Sequence, residues 1–246
     1  MQTFNFRNKL YLHWSKIVPL FLLFVLVGHQ QLFSQVSREI NLPNSDEKKI
    51  KYGFIMGIHS SNFRSTYDNS FATSSFDTLH SINAQNSAGF ALGMFTNFRL
   101  AQYADLIVSV KFGFYENKLE YSYTNRETRT GLSEVTMLEF PVLFKYKSVR
   151  RGNARMYFVG GATPSFRPND KKDLEAPENR ILVEKTNLSV EFGFGVDLYF
   201  PLFRFSPEIR FSKGLVNVLK PDSNELSEGI RRLTTNSVTL YLQFGD

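Results

Sequence analysis

The chain contains no cysteine, which excludes disulfide staples and a lipoprotein anchor, so stability must come from packing and a closed hydrogen-bond ladder. It also lacks a long apolar run. The best, Ile17–Val27, falls well short of the roughly 20 residues of a membrane-spanning helix. A dense basic patch is missing too: 29 Lys and Arg stand against 23 Asp and Glu, and the balance narrows to 26 against 23 once Arg7, Lys9 and Lys16 of the leader are set aside. So mild an excess argues against a nucleic-acid partner. Histidine is scarce, with four residues in all, two of them (His13 and His29) within the first 34 positions.

Those first residues have the layout of an export signal: three cations, a short apolar run, and Ser34-Gln35 as a cleavage point with a small residue before the cut. The expected organisation is a signal peptide over 1–34, a periplasmic segment over 35–50 and a single domain over 51–246.

What the chain has in quantity is alternation. From Leu188 to Phe200 every second residue is large and apolar, while Ser189, Glu191, Gly193, Gly195, Asp197 and Tyr199 fall between. Period two places the two sets on opposite faces of a strand, and a tilted strand of this length matches the hydrocarbon thickness of a bilayer. Alternation alone does not say which face meets lipid. Volume does: the face carrying three Phe suits the outside of a small barrel, and Gly193 and Gly195 suit its crowded interior.

The same pattern recurs around Tyr52–Ile58, Ala88–Arg99, Leu106–Phe114, Leu138–Tyr146, Phe203–Phe211 and Val238–Phe244, with a weaker strand over 155–166 blurred by Gly160, Gly161 and Pro164. The expected fold is therefore all-β: an eight-stranded antiparallel transmembrane β-barrel of the outer-membrane type. Long polar connections near 62–86, 116–133, 167–186 and 217–235 alternate with short ones near 100–105, 148–154 and 201–202. This predicts extracellular loops, periplasmic turns and both termini in the periplasm. Tyr52, Phe98, Tyr103, Tyr146, Phe200, Phe203 and Phe244 should form an aromatic girdle on the periplasmic side, and outer-membrane lipid is the expected partner of the outer face. A mean hydropathy of -0.23 fits a barrel with a polar interior and polar loops.

In this register Glu139, Lys145, Lys147, Glu191, Asp197, Arg204, Glu208 and Arg210 point inward. Eight strands leave little room, so these charges must pair, and they are read as a lumen ion network rather than a pore. No catalytic, cofactor or metal site is expected. Asp77, His80 and Ser81 lie within five positions of one loop with nothing to hold a base against a nucleophile. Asp170, Asp173 and Glu175 lack calcium-loop spacing and sit beside Lys171 and Lys172. Two other readings stay open: a generic small barrel acting as an adhesin or envelope-stabilising protein, and a lipid-modifying enzyme.

The segments Met137-Leu-Glu-Phe-Pro-Val-Leu-Phe-Lys-Tyr-Lys-Ser148, Tyr157-Phe-Val-Gly-Gly161, Val190-Glu-Phe-Gly-Phe-Gly-Val-Asp-Leu-Tyr-Phe-Pro-Leu-Phe-Arg-Phe-Ser-Pro-Glu-Ile-Arg-Phe211 and Arg232-Leu-Thr-Thr-Asn236 resemble the PorT/SprT proteins of Bacteroidetes. Tyr52-Gly-Phe-Ile-Met-Gly-Ile58 is similar to the first strand of that family. The resemblance implies a non-enzymatic outer-membrane component of the type IX secretion system that works with other components of that system. Its implied task is export of cargo bearing a C-terminal sorting domain and, in gliding species, motility.

Overall fold

A computed structural model describes residues 39–67, 79–123, 129–168, 184–219 and 230–245; the signal-like leader and the acidic cluster Asp170, Asp173 and Glu175 lie outside them. Ten strands, β1 (Ile50–Tyr67), β2 (Leu79–Gln85), β3 (Ser87–Arg99), β4 (Ala104–Tyr123), β5 (Arg129–Glu139), β6 (Val142–Lys147), β7 (Ala154–Phe166), β8 (Thr186–Tyr199), β9 (Arg204–Gly214) and β10 (Ile230–Gly245), make one antiparallel sheet. β2 and β3 are successive parts of one wall, both paired with β4 and interrupted at Asn86. β5 and β6 are likewise one wall, interrupted at Phe140-Pro141, where proline has no N–H to give the ladder. The partners bridge that gap: Phe140 donates to the Pro164 carbonyl at 2.9 Å and Ser109 donates to the Pro141 carbonyl at 3.0 Å. The ten segments thus form eight walls, and β1 pairing with both β3 and β10 closes the ring.

The eight walls run where the alternation predicts, including the one over 155–166. The long connections are shorter than expected, because strands continue through 62–67, 79–85, 116–123, 129–133 and 230–235. In these stretches polar residues break the alternation, with isolated apolar residues such as Phe63 and Leu233 turned inward, so apolar periodicity gives little sign of them, yet their backbones pair as the spanning parts do. The short turns hold at 100–103, 148–153 and 200–203, and Gly152 supplies the left-handed residue (φ 60°) of the second.

Facing follows from the register. Phe54, Ile58, Met94, Phe158 and Phe192 each leave about 60% of their surface exposed, whereas Lys111, Lys145 and Glu208 leave 1%. An apolar outside around a charged inside reverses the arrangement of a water-soluble barrel. Tyr52, Phe98, Tyr103, Tyr146, Phe200 and Phe203 are exposed at the short-turn end, where Phe200 stacks on Phe203 with centroids 5.0 Å apart.

Phe194 lies on the outer face and Gly195 on the inner one, where an added Cβ would stand 2.5 Å from the Tyr157 ring. Phe194→Arg should cost about 2–4 kcal/mol at the lipid face, and Gly195→Phe should block closure by overpacking. Both should reduce the heat-modifiable, folded band on cold electrophoresis. Normal assembly of Phe194→Arg alongside failure of Ser189→Leu would invert the facing.

Candidate functional site

The functional interest of the barrel is its lumen. Inward positions on neighbouring strands bring opposite charges together, though often not the pair that stands directly across. Lys111 and Glu139 are register partners and bond at 2.9 Å. Lys145 stands opposite Asp105 but reaches Asp197 at 2.8 Å, leaving Asp105 to Lys147 at 2.5 Å. Arg210 lies between Glu191, at 3.0 Å, and Glu208, which it also bonds. Glu208 further accepts from the Gln243 amide at 2.9 Å, and Asp197 from the Ser206 hydroxyl at 2.7 Å.

Aromatic rings fill what the charges leave. Lys145 sits 3.5 Å over the centroid of Tyr157, and Lys111 and Arg210 lie over Tyr241 at 4.6 and 4.4 Å. The Tyr115 hydroxyl donates to Glu139 at 2.5 Å, and its ring stacks on His59 at 4.3 Å. Inward glycines make room: a Cβ on Gly57 would meet the Tyr241 ring at 2.6 Å, and one on Gly53 would meet Phe95 at 2.5 Å.

All eight charges singled out in the sequence, Glu139, Lys145, Lys147, Glu191, Asp197, Arg204, Glu208 and Arg210, are buried in the lumen. Lys51, Asp105, Lys111 and Arg155, together with Tyr115, Tyr157 and Tyr241, were not singled out. Extending period two from the outward residues of each strand to their inward neighbours, as from Leu106 and Val108 to Asp105 and Lys111, would have found them. The candidate hydrolase residues fall on β2 and on the stretch before it. His59 is buried against Tyr115, His80 and Ser81 belong to strand β2, and Asp77 lies outside the described residues. Among the described residues no group of three or more His, Cys, Asp or Glu could hold a metal ion.

The two ends of the lumen differ. Toward the long loops is a cavity of about 60 Å³, lined mostly by Ser, Thr and Asn with Phe63, Tyr115 and Glu139 among them, large enough for a few waters. Residues 215–219 lie beside it, with Val218 and Leu219 buried; Val218 donates to the Leu233 carbonyl at 2.9 Å and accepts from the Glu184 N–H at 2.8 Å. At the short-turn end, residues 41–47 form a strap containing the 3-10 turn Pro43–Asp46. The Asn41 amide donates to the Tyr199 carbonyl at 2.9 Å, Arg150 donates to the Asn41 and Leu42 carbonyls, and Asp46 meets Arg155 at 2.5 Å. Burial works against the Asp46 charge, but the Arg155 guanidinium, with Lys51 and Arg150 nearby, outweighs it and holds the carboxyl below the usual carboxylate range.

Residues 33–220 match the model of the outer membrane protein beta-barrel domain. Among solved structures, the chain is similar to the outer membrane protein OprG of Pseudomonas aeruginosa, at 10% identity and a TM-score of 0.47, over 80% of this chain and 95% of that one. It is similar to Neisserial surface protein A at 9% identity and a TM-score of 0.40, over 78% and 95% of the two chains. It is also similar to the attachment invasion locus protein Ail of Yersinia pestis at 8% identity and a TM-score of 0.34, over 81% and 100%. No curated protein matches in sequence.

Two outcomes follow from this geometry. Lys145→Met strands the Asp197 carboxylate, so it should cost about 3–5 kcal/mol in urea unfolding from lipid vesicles, and adding Asp197→Leu should recover most of the loss. The Asp46 contact stabilises the strap above the unfolded carboxylate pKa, about 4, and is lost as pH falls through its depressed folded value. Because the chain has no cysteine, a label on Glu47→Cys reports this directly. Its anisotropy should drop on acidification, and in an Asp46→Asn background it should be low at every pH.

Proposed function

Since the chain belongs to the outer membrane protein beta-barrel domain family, we propose that it is a non-enzymatic barrel of the PorT/SprT kind, serving type IX secretion. It takes part in export of sorting-domain cargo and, in a gliding cell, in motility. One observation carries the reading. The segments that resemble PorT/SprT supply much of the side-chain filling of the lumen: Glu139, Lys145 and Lys147 come from the first, Tyr157 from the second, and Glu191, Asp197, Glu208 and Arg210 from the longest. A barrel occupied by ion pairs suits a scaffold or assembly component rather than a conduit, because a pore needs a wider ring. In this reading residues 1–34 are a cleaved leader, both termini face the periplasm, and the partners are membrane lipid and other secretion components.

The lipid-modifying alternative needs a nucleophile held by a base, and His59 stacked on Tyr115 offers neither. Deleting the gene should trap sorting-domain cargo in the periplasm, while joint replacement of His59, His80 and Ser81 by Ala leaves secretion nearly intact. Normal extracellular cargo in the deletion strain would reject the proposal and leave the generic envelope barrel. Altered lipid acylation copied by the triple variant would indicate an enzyme.

A further inference from the structure

Past the apolar band on the long-loop side, the outer face carries three cations on three neighbouring walls: Arg64 on β1, Arg232 on β10 and Lys213 on β9. All three are exposed, while Phe63, Leu233 and Gly214, which alternate with them, are buried, so the cations project away from the lumen. Register fixes their spacing. Lys213 stands beside Asn236, which also pairs with Asn62; Arg64 is opposite Thr234, and Arg232 is opposite Thr66. The cations and the Asn and Thr residues between them thus occupy a patch about 10 Å wide, two strand spacings. It begins where the band ends, since Phe211 and Val238, partners on the apolar face, lie one outward position before Lys213 and Asn236.

Among the described residues no carboxylate holds these cations. Arg64 and Lys213 make no side-chain hydrogen bond or ion pair, and Arg232 donates to the Leu215 carbonyl at 2.7 Å, which leans its guanidinium from β10 across to the end of β9, two residues past Lys213. The far flank of the ring has the opposite sign. Beyond Phe114, the outward positions of β4 and β5 carry Glu116, Glu120 and Glu134 against Lys118, and Lys118 is already paired with Glu116 at 2.6 Å. The positive charge is therefore a property of one flank and not of the whole rim.

We propose that this flank binds a phosphorylated glycolipid, with its phosphate among Arg64, Lys213 and Arg232 and its acyl chains along Phe211, Val238, Leu240 and Ile58. Cations placed at the edge of an apolar face call for an anionic amphiphile rather than a free ion, and guanidinium and ammonium groups meet phosphate through charge-assisted hydrogen bonds. Val238, Leu240 and Ile58 each leave 46–68% of their surface exposed directly beneath the cations. Asn62, Asn236, Thr66 and Thr234, set between the charges, carry donors and acceptors that suit sugar hydroxyls, which the headgroup of phosphatidic acid lacks.

The test is native mass spectrometry of the full, folded protein in nonionic detergent, titrated with lipid A, dephosphorylated lipid A or phosphatidic acid. A single saturable lipid A adduct is expected. Its affinity should fall at least about tenfold in the double variant Arg64→Gln, Lys213→Gln, and by a similar factor when the phosphates are removed from the lipid. Lys118→Gln, on the acidic flank, should leave it unchanged. The comparison of phosphorylated and dephosphorylated lipid uses the unaltered protein, so it decides even if the variants do not fold. Because the protein is in detergent, the outcome depends neither on the orientation of the barrel nor on a role in secretion. No saturable adduct, equal binding of the dephosphorylated lipid, or undiminished binding in the double variant overturns the site, and phosphatidic acid binding as tightly as lipid A overturns its assignment to a glycolipid.

Discussion

Hydrocarbon offers a peptide group no hydrogen-bond partner, so the sheet that crosses it must close on itself, and closing with eight walls leaves an interior too narrow for water to solvate many charges. The lumen obeys that constraint. Lys111, Lys145, Glu191, Asp197, Glu208 and Arg210 are held in direct contact with one another, because at 0–5% exposure an unmatched ion would be expensive. Tyrosines occupy the remaining space and lend their π-faces to the cations. Gly57 and Gly195 provide room for the Tyr241 and Tyr157 rings where a side chain would collide with them. Even the interruption at Phe140-Pro141 keeps to the rule, since β4 and β7 take up the hydrogen bonds the proline region leaves.

The ends of the barrel are finished by different means. The short-turn end is crossed by a strap fastened by Arg150 and Arg155, so the segment preceding β1 is part of the folded body. The opposite end keeps a polar cavity under strands that run on past the apolar band. Within that band the outer surface carries the apolar residues that suit lipid, and the charged residues lie inside.

Much of this was legible in the sequence, and for a simple reason. A wall that meets lipid on one side and ions on the other must alternate, so each spanning strand announces itself, as Leu188–Phe200 does most clearly. What could not be read lacks that contrast. The continuation of β4 through Glu116-Asn-Lys118 and of β10 through Thr234-Thr-Asn236 is polar on both faces, so it resembles a loop. The strap reads as an ordinary polar linker, because its fastening depends on Arg150 and Arg155, a hundred residues away. The choice of ionic partner was equally hidden. Strand order places Asp105 opposite Lys145, but side chains leaning across a tilted, curved wall join Lys145 to Asp197.

Alternation by itself guards against only half of the errors a strand can make. A slip of one residue turns every Phe inward and is strongly disfavoured, whereas a slip of two keeps the apolar face toward lipid and leaves the hydrophobic effect indifferent. The ions are not indifferent. Move β6 by two against its neighbours and Val142, Phe144 and Tyr146 still face outward, but one of Lys145 and Lys147 takes the other's place and either Asp105 or Asp197 is left without its cation. The lumen charges therefore work as a parity check on assembly, detecting the even-numbered slips that the alternating pattern cannot.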